Sequence, residues 1–252
     1  MREAGTPDRG SGVKIEVRAY ERTVAHYRAG VLIAEKLLLL AVNDKGRLPA
    51  GKTGLMEVGL TAALLAELAI DGQMALVEHG RLRAATLQAG DFRPVDPLLA
   101  DVHDALRGRL ANRDARTLIQ FVGGRIGGSW ERVVDRLIAT GMLGQDRPSP
   151  LLPTQHPVIN VPAYQAVIAE VQAAALGPGP MRPDTAVILR LVKGPQYDRV
   201  LPPRGPARVQ AQRNTLTVMA RTTLPPDVAK MIEELVSAAN WRFNQLNTHY
   251  GG

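Results

Sequence analysis

Residues 35–82 read EKLLLLAVNDKGRLPAGKTGLMEVGLTAALLAELAIDGQMALVEHGRL, and this stretch decides the fold. It consists of an apolar segment, an acidic turn at residues 43–46, a second apolar segment and a short hairpin that ends Gly80-Arg81-Leu82. In the second apolar segment leucines recur at helical spacing, and Gly72 provides a stop signal. The pattern therefore predicts two helices, at about residues 31–42 and 55–70.

The same stretch also fits a phosphate-binding loop. Residues 46–53 satisfy the pattern G-x-x-x-x-G-K-[ST], in which the backbone and Lys52 would cradle phosphates. Such a loop follows a β-strand, whereas residues 37–42 are rich in leucine rather than in β-branched side chains. No later apolar run ends in an aspartate suited to hold a magnesium ion. We therefore predict a turn at Gly46–Thr53 and keep nucleotide binding as an alternative.

The whole chain is predicted to be mainly α-helical, with short β-hairpins at residues 73–86 and 142–158. A hydrophobic content of 45% with only 4% aromatic residues is typical of such a fold. Ser129 is predicted to cap one of the helices. The further predicted helices are residues 97–106, 116–122, 130–140, 161–176, 184–192, 207–213 and 227–246.

The domain organisation follows from composition. Residues 1–12 are polar and glycine-rich, which predicts a disordered tail. Residues 13–252 contain no clear linker and are predicted to form a single domain. Alternating apolar residues at positions 13–19 indicate that it begins with a strand.

Composition also limits the function classes. The net charge of +7, from 31 basic and 24 acidic residues, favours an anionic partner. The absence of cysteine excludes disulfides and thiol nucleophiles, and no apolar run reaches the length of a membrane span. Asp101 and Asp104 share a helix face from which His103 points away. We therefore predict no catalytic residue, metal or cofactor. The lack of a membrane span predicts a cytoplasmic location. Glu57 and Glu67 have no obvious carboxylate partner and are predicted to be surface acids.

Three motifs, in this order and spacing, resemble the Golgi phosphoprotein family in its bacterial type. Residues 59–72 match a helix of the form Gly-Leu-x-x-x-Leu-Leu-x-Glu-Leu-Ala-x-x-Gly, and residues 131–143 resemble an Arg- and Glu-rich helix ending Gly-Val-Leu. Residues 154–157 match Thr-x-His-Pro. The resemblance covers residues 31–205.

This resemblance implies a non-catalytic, peripheral membrane adaptor that binds phosphatidylinositol-4-phosphate at a basic surface and recognises cytoplasmic tails of membrane proteins. A second copy of the chain is kept as a further partner. The family's headgroup tryptophan and arginines fall here on Lys52, Thr61, Gly127 and Trp130, so the implied ligand is a generic anionic membrane lipid. The candidate headgroup-binding residues are Lys52, Thr61, Arg125, Trp130 and Arg132.

Two alternatives stay open at this stage. Trp130 either inserts its ring at the headgroup level or packs in the core. The helix at 130–140 followed by a hairpin also resembles a winged-helix domain, in which Arg125, Arg132, Arg136 and Arg147 would contact DNA. Glu131 and Asp135 lie among those arginines and would face phosphates, which makes a nucleic-acid partner the weaker interpretation.

The predicted turn at Gly46–Thr53 has a direct test. We expect neither ATP nor GTP to bind at micromolar concentration, and Lys52→Ala to change neither stability nor nucleotide affinity. Isothermal titration calorimetry on both proteins measures this. Micromolar binding that disappears in the variant would establish the phosphate-binding loop instead.

Overall fold

The computed structural model describes residues 31–43, 45–48, 54–80, 84–147, 154–192, 195–202 and 205–250. The residues from Leu32 onward form one compact unit. The predicted tail at residues 1–12, the predicted strand at 13–19 and the candidate residue Lys52 lie outside the described residues, so these predictions are untested.

The described chain is mainly helical, which confirms the predicted fold class. The helices are α1 (Ile33–Leu39), α2 (Gly54–Ile70), α3 (Pro97–Arg107), α4 (Ala115–Arg125), α5 (Ser129–Ala139), α6 (Val161–Leu176), α7 (Pro183–Leu191), α8 (Pro195–Val200), α9 (Pro206–Leu216) and α10 (Pro226–Tyr250). A 3₁₀ turn spans Val218–Arg221, and the strands are β1 (Met74–Val77) and β2 (Thr86–Ala89). The short helix α8 was not predicted from the sequence.

Helix α2 lies at the centre of the fold. Every residue from Val58 to Ile70 is buried, so this helix is apolar on all sides rather than along one stripe. The helices α1, α3, α4, α5, α7 and α10 all pack against it. The leucine-rich α1 is likewise buried along its whole length. The apolar run that begins at residue 37 is helical as far as Leu39 and then turns, so it does not form a strand.

The strands β1 and β2 form an antiparallel hairpin in which Met74 pairs with Ala89 and Leu76 with Leu87. The hairpin was predicted to end at residue 86, whereas its second strand begins at Thr86 and continues to Ala89. The observed register puts these four side chains on one face, where Leu87 is fully buried against the core. A shift by one residue would turn that face to solvent, so packing fixes the register.

The turn after α1 argues against the phosphate-binding loop. The side-chain oxygen of Asn43 accepts hydrogen bonds from the backbone N–H groups of Lys45, at 3.0 Å, and Arg47, at 3.1 Å. Gly46 has a φ of 68°, as this tight turn requires. A helix, α1, precedes the turn, whereas a phosphate-binding loop requires a strand at that place. Residues 49–53 of the motif lie outside the described residues.

The second predicted hairpin is present as two antiparallel bridges. Leu143 pairs with Val158, and Asp146 pairs with Gln155. The backbone N–H of Val158 also donates to the carbonyl of Gly46, at 2.9 Å. This hairpin is therefore held against the turn that follows α1.

Glu67 was predicted to be a surface acid, and this is wrong. The residue lies within the buried part of α2 and is 6% exposed. Its carboxylate accepts a hydrogen bond of 2.6 Å from the backbone N–H of Ile33, at the start of α1. Burial raises the pKa of Glu67 to about 8, and the charges of Asp71 and Asp184 add to this increase, while the hydrogen bond from Ile33 and the charge of Lys36 oppose it. Glu67 is therefore largely protonated at neutral pH.

The raised pKa predicts a pH dependence of stability. The folded chain holds the Glu67 proton more tightly than the unfolded chain, whose pKa is near 4.5. The resulting stabilisation is complete below that pH and is lost as the pH rises through about 8. Glu67→Gln removes this proton uptake and keeps an acceptor for Ile33. On going from pH 5 to pH 9, the free energy of unfolding of the variant should therefore rise relative to that of the wild type, by on the order of 1–4 kcal/mol.

Urea unfolding at both pH values measures the difference. The matched control is Asp135→Asn, which removes an exposed carboxylate from α5 and should show no such change. An equal pH dependence in the wild type and in Glu67→Gln would mean that Glu67 is ionised in the folded protein.

Candidate functional site

A cleft of about 470 Å³ opens where the starts of α2 and α5 meet the ends of α4 and α10. We call it the glycine-lined cleft, because five of its lining residues are glycines: Gly54, Gly123, Gly124, Gly127 and Gly128. A side chain at Gly123 would lie 3.2 Å from the hydroxyl of Thr61 and 3.3 Å from the carboxylate of Glu57. A side chain at this position would force these two groups to shift by a few tenths of an ångström.

Glu57 occupies the place in this cleft where an anion would bind. Its carboxylate accepts hydrogen bonds from the backbone N–H groups of Ser129, at 3.0 Å, and Trp130, at 3.2 Å, in the first turn of α5. These N–H groups are the usual anion-binding donors of a helix N-terminus. Glu57 thus caps α5 from a neighbouring helix, and its predicted role as a surface acid is wrong.

Ser129 was predicted to cap α5, and this prediction is also wrong. The capping position is Gly128, with a φ of 93°, and Ser129 is the first helical residue. The hydroxyl of Ser129 lies 3.1 Å from that of Thr61 on α2. The buried Ser129 side chain therefore bonds to Thr61 of α2, while the Glu57 carboxylate accepts the backbone N–H groups at the start of α5.

The structure places the predicted headgroup residues in different environments. Thr61 lines the glycine-lined cleft but is 1% exposed. Trp130 is 7% exposed and belongs to the hydrophobic core, so the packing interpretation of this tryptophan is the one the structure favours. Arg242 is the one basic residue among the described residues lining this cleft, and its guanidinium donates to the side chain of Gln245, at 3.0 Å.

The other two predicted arginines differ in their partners. Arg132 forms an ion pair with Asp101 of α3, so its charge is partly neutralised. Arg125, at the end of α4, is exposed and forms no ion pair or side-chain hydrogen bond within the described residues. Of the predicted residues that the structure describes, Arg125 alone has a free charge at the surface.

Arg125 lines a second cleft, of about 400 Å³, between the ends of α3 and α4. We call it the arginine cleft; its lining residues are Asp104, Ala105, Gly108, Arg109, Leu110, Gly124 and Arg125. Arg109 is exposed and, like Arg125, has no charged partner within the described residues. The carboxylate of Asp104 is already held by Arg93, with a closest distance of 2.9 Å. The cleft therefore presents two unpaired guanidinium groups.

Arg109 was not identified from the sequence. It follows the C-terminal Gly108 of α3, in the order Arg107-Gly108-Arg109. Two arginines around a helix-ending glycine are a weak indication of an exposed basic turn. The convergence with Arg125, sixteen positions later in the chain, depends on how α3 packs against α4.

The winged-helix interpretation requires a free basic face on α5. Arg136 instead forms ion pairs with Glu35 of α1, at 2.9 Å, and with Asp96 at the start of α3. With Arg132 bound to Asp101, both arginines of this helix hold neighbouring helices together. Two of the arginines that would contact DNA, Arg132 and Arg136, are thus engaged within the fold.

Within the part of the chain that the structure describes, no cluster of three or more His, Asp or Glu side chains is arranged to hold a metal ion. His103 is fully buried, and its Nε2 lies 2.9 Å from the carbonyl oxygen of Gly90, to which it donates. No described helix combines the length and the hydrophobicity that crossing a lipid bilayer requires.

Comparison with known families identifies the class. The family described as Golgi phosphoprotein 3 (GPP34) matches residues 33–235. Since this match covers most of the chain, the chain belongs to the Golgi phosphoprotein 3 family, as the resemblance of the three motifs indicated. Among curated proteins, none matches the chain.

The cap on α5 predicts a stability effect. Glu57→Ala leaves the N–H groups of Ser129 and Trp130 without their acceptor, and we expect a loss of about 1–2 kcal/mol in the free energy of unfolding. Glu57→Gln keeps one acceptor without the charge and should lose less. Urea denaturation measures both, with Asp135→Ala on the exposed face of the same helix as the control. Equal losses in Glu57→Ala and Asp135→Ala would contradict the capping role.

Proposed function

We propose that this protein is a non-catalytic peripheral adaptor that docks on anionic membrane surfaces through the arginine cleft. Membership of the Golgi phosphoprotein 3 family supports the adaptor class. The observation that carries the lipid-binding part is the convergence of Arg109 and Arg125, both exposed and unpaired within the described residues, on one cleft.

The charge distribution around this cleft favours an anionic partner. All six arginines of residues 90–125 are exposed: Arg93, Arg107, Arg109, Arg113, Arg116 and Arg125. Of the five aspartates in the same segment, Asp91 and Asp104 are exposed, and Asp96, Asp101 and Asp114 are half-buried. Each basic residue close to an anionic leaflet contributes about 1 kcal/mol of binding free energy. A segment in which every arginine is exposed is suited to lipid headgroups.

The glycine-lined cleft is the less suitable place for a phosphate. It contains the Glu57 carboxylate, which already accepts the N–H groups at the start of α5, and a bound phosphate would be repelled by it. Arg242, the one arginine among the described residues that line it, is bonded to Gln245. We therefore propose binding that depends on membrane charge density, without selection of phosphatidylinositol-4-phosphate over other anionic lipids.

The adaptor role includes a protein partner. The family resemblance implies recognition of cytoplasmic tails of membrane proteins, and this part of the proposal rests on the resemblance alone. Docking of α3 and α4 on the membrane would leave the surfaces of α6 and α9, which pack against each other, available for such a tail or for a second copy of the chain.

Vesicle co-sedimentation tests the proposal. We expect the protein to bind vesicles of phosphatidylcholine with phosphatidylserine, to ignore phosphatidylcholine alone, and to dissociate as salt rises. Arg109→Gln and Arg125→Gln should each weaken binding by roughly fivefold at low salt. Arg213→Gln, which removes an exposed arginine of α9, is the matched control and should bind nearly as the wild type does.

A second comparison uses vesicles with phosphatidylinositol-4-phosphate at the same total charge, for which we expect the same affinity. If the wild-type protein does not bind anionic vesicles at low salt, the proposed function is wrong. If Arg213→Gln loses as much affinity as Arg125→Gln, binding follows net charge and the arginine cleft has no special role.

A further inference from the structure

The loop between β2 and α3, residues 90–96, carries the two most exposed large apolar side chains of the described chain. Phe92 is 78% exposed and Val95 is 89% exposed. Pro94, between them, is buried. The loop therefore turns one residue into the fold and two apolar side chains out of it. We call this segment the Phe92 loop.

The first end of the Phe92 loop is fixed. The N–H of Gly90 donates to the carbonyl of Gln73, at 2.7 Å, and the carbonyl of Gly90 accepts from the buried ring of His103, at 2.9 Å. A side chain at Gly90 would lie 2.9 Å from the backbone of Gln73, so a residue with a side chain could not occupy this position without a shift. The loop thus leaves the hairpin at a defined point.

The second end is fixed by Asp96. Its carboxylate accepts the N–H groups of Leu98, at 3.0 Å, and Leu99, at 3.1 Å, and so caps α3. It also pairs with Arg136 of α5. The middle of the loop is held by Arg93, whose guanidinium makes a two-pronged contact with Asp104 of α3 at 2.9–3.2 Å. Phe92 and Val95 are therefore exposed on a supported frame.

The contact between Arg93 and Asp104 also joins the loop to the arginine cleft. Asp104 is one of the residues that line this cleft, together with Arg109 and Arg125. The loop that exposes Phe92 and Val95 is therefore anchored on a lining residue of the cleft to which Arg109, just after α3, and Arg125, at the end of α4, contribute. Exposed apolar side chains beside basic ones are the pattern of a surface that enters the boundary between headgroups and acyl chains. Phenylalanine is among the apolar side chains that such surfaces bury.

We propose that the Phe92 loop is an apolar anchor that inserts Phe92 and Val95 into an anionic lipid leaflet while Arg109 and Arg125 bind its headgroups. This inference rests on the proposed membrane function and assigns the part of the chain that enters the bilayer. Arg93 is a positioning residue here, since it holds the loop through Asp104. The occupant is a lipid surface because the neighbouring unpaired charges are positive and complement anionic headgroups.

The absence of cysteine from the chain makes a site-specific label straightforward. Single variants Phe92→Cys, Val95→Cys and Leu216→Cys each carry one environment-sensitive fluorophore. Leu216 is the matched control, because it is 71% exposed at the end of α9. With vesicles of phosphatidylcholine and phosphatidylserine, we expect the labels at 92 and 95 to shift to the blue and to be quenched by nitroxide-bearing lipids. The label at 216 should not respond.

Affinity provides the second measurement, on unlabelled protein. Phe92→Ser with Val95→Ser should lower the vesicle partition constant by about tenfold or more, because the apolar contribution to binding is lost. Leu216→Ser should leave it unchanged. The double variant changes only exposed side chains, and its circular dichroism and urea unfolding should match the wild type.

The outcomes separate the two proposals. If the wild-type protein binds anionic vesicles but the labels at 92 and 95 stay in water, or the double serine variant binds as the wild type does, the anchor is overturned and the arginine cleft stands. If the wild type does not bind at all, the membrane function and the anchor both fall. Equal responses from all three labels would indicate nonspecific adsorption and would also overturn the anchor.

Discussion

The burial of α2 on all sides is the constraint on which the rest of the structure depends. From Val58 to Ile70 no side chain of this helix is exposed, so its surface must be covered in every direction, and six helices pack against it. Its two acidic side chains have partners inside the fold. Glu67 accepts from the start of α1, and Glu57 accepts from the start of α5. The same helix thus forms the centre of the core and holds the first residues of α1 and α5 in place.

A second set of charges ties the outer helices to this core. The ammonium group of Lys36 on α1 lies 2.7 Å from Asp184 of α7 and 3.1 Å from Glu170 of α6. Both Lys36 and Asp184 are buried, so each requires the other to avoid an unpaired charge in the interior. Arg136 serves α5 in the same way, through Glu35 and Asp96. Charges that are paired in this way are not available to a ligand. Arg109 and Arg125, which have no charged partner within the described residues, line one cleft together.

The sequence predicted the helices well because their signals are local. Helix α6 begins at residue 161 and ends at 176, as its composition and the following Gly177 indicated. The errors share a different cause. The cap of α5 comes from Glu57, more than seventy residues earlier in the chain, and the register of β2 depends on the burial of Leu87. Neither contact is signalled by the residues next to it in the sequence. Glu67 was the avoidable error, because it is the single charged residue between Val58 and Ile70, and such a run is typical of a helix buried on all sides.

The candidate site was only partly predictable for the same reason. Arg125 was identified, whereas Arg109 joins it through the packing of α3 on α4. The loop that exposes Phe92 is held by the contact between Arg93 and Asp104, which are eleven positions apart in the chain. Trp130 shows the opposite case: a tryptophan beside basic residues in the sequence is a core residue in the fold. A family position alone therefore does not establish a headgroup contact in this chain.

Hydrogen–deuterium exchange with and without anionic vesicles tests the membrane-facing surface most directly, because it reports on both clefts in one experiment. We expect slower exchange of backbone amides in residues 90–96 and 107–113 when phosphatidylserine vesicles are present. We expect no change in the glycine-lined cleft, at residues 54–61 and 127–130. Protection confined to that cleft, with the Phe92 loop and the turn after α3 unaffected, would contradict the proposed membrane-facing surface.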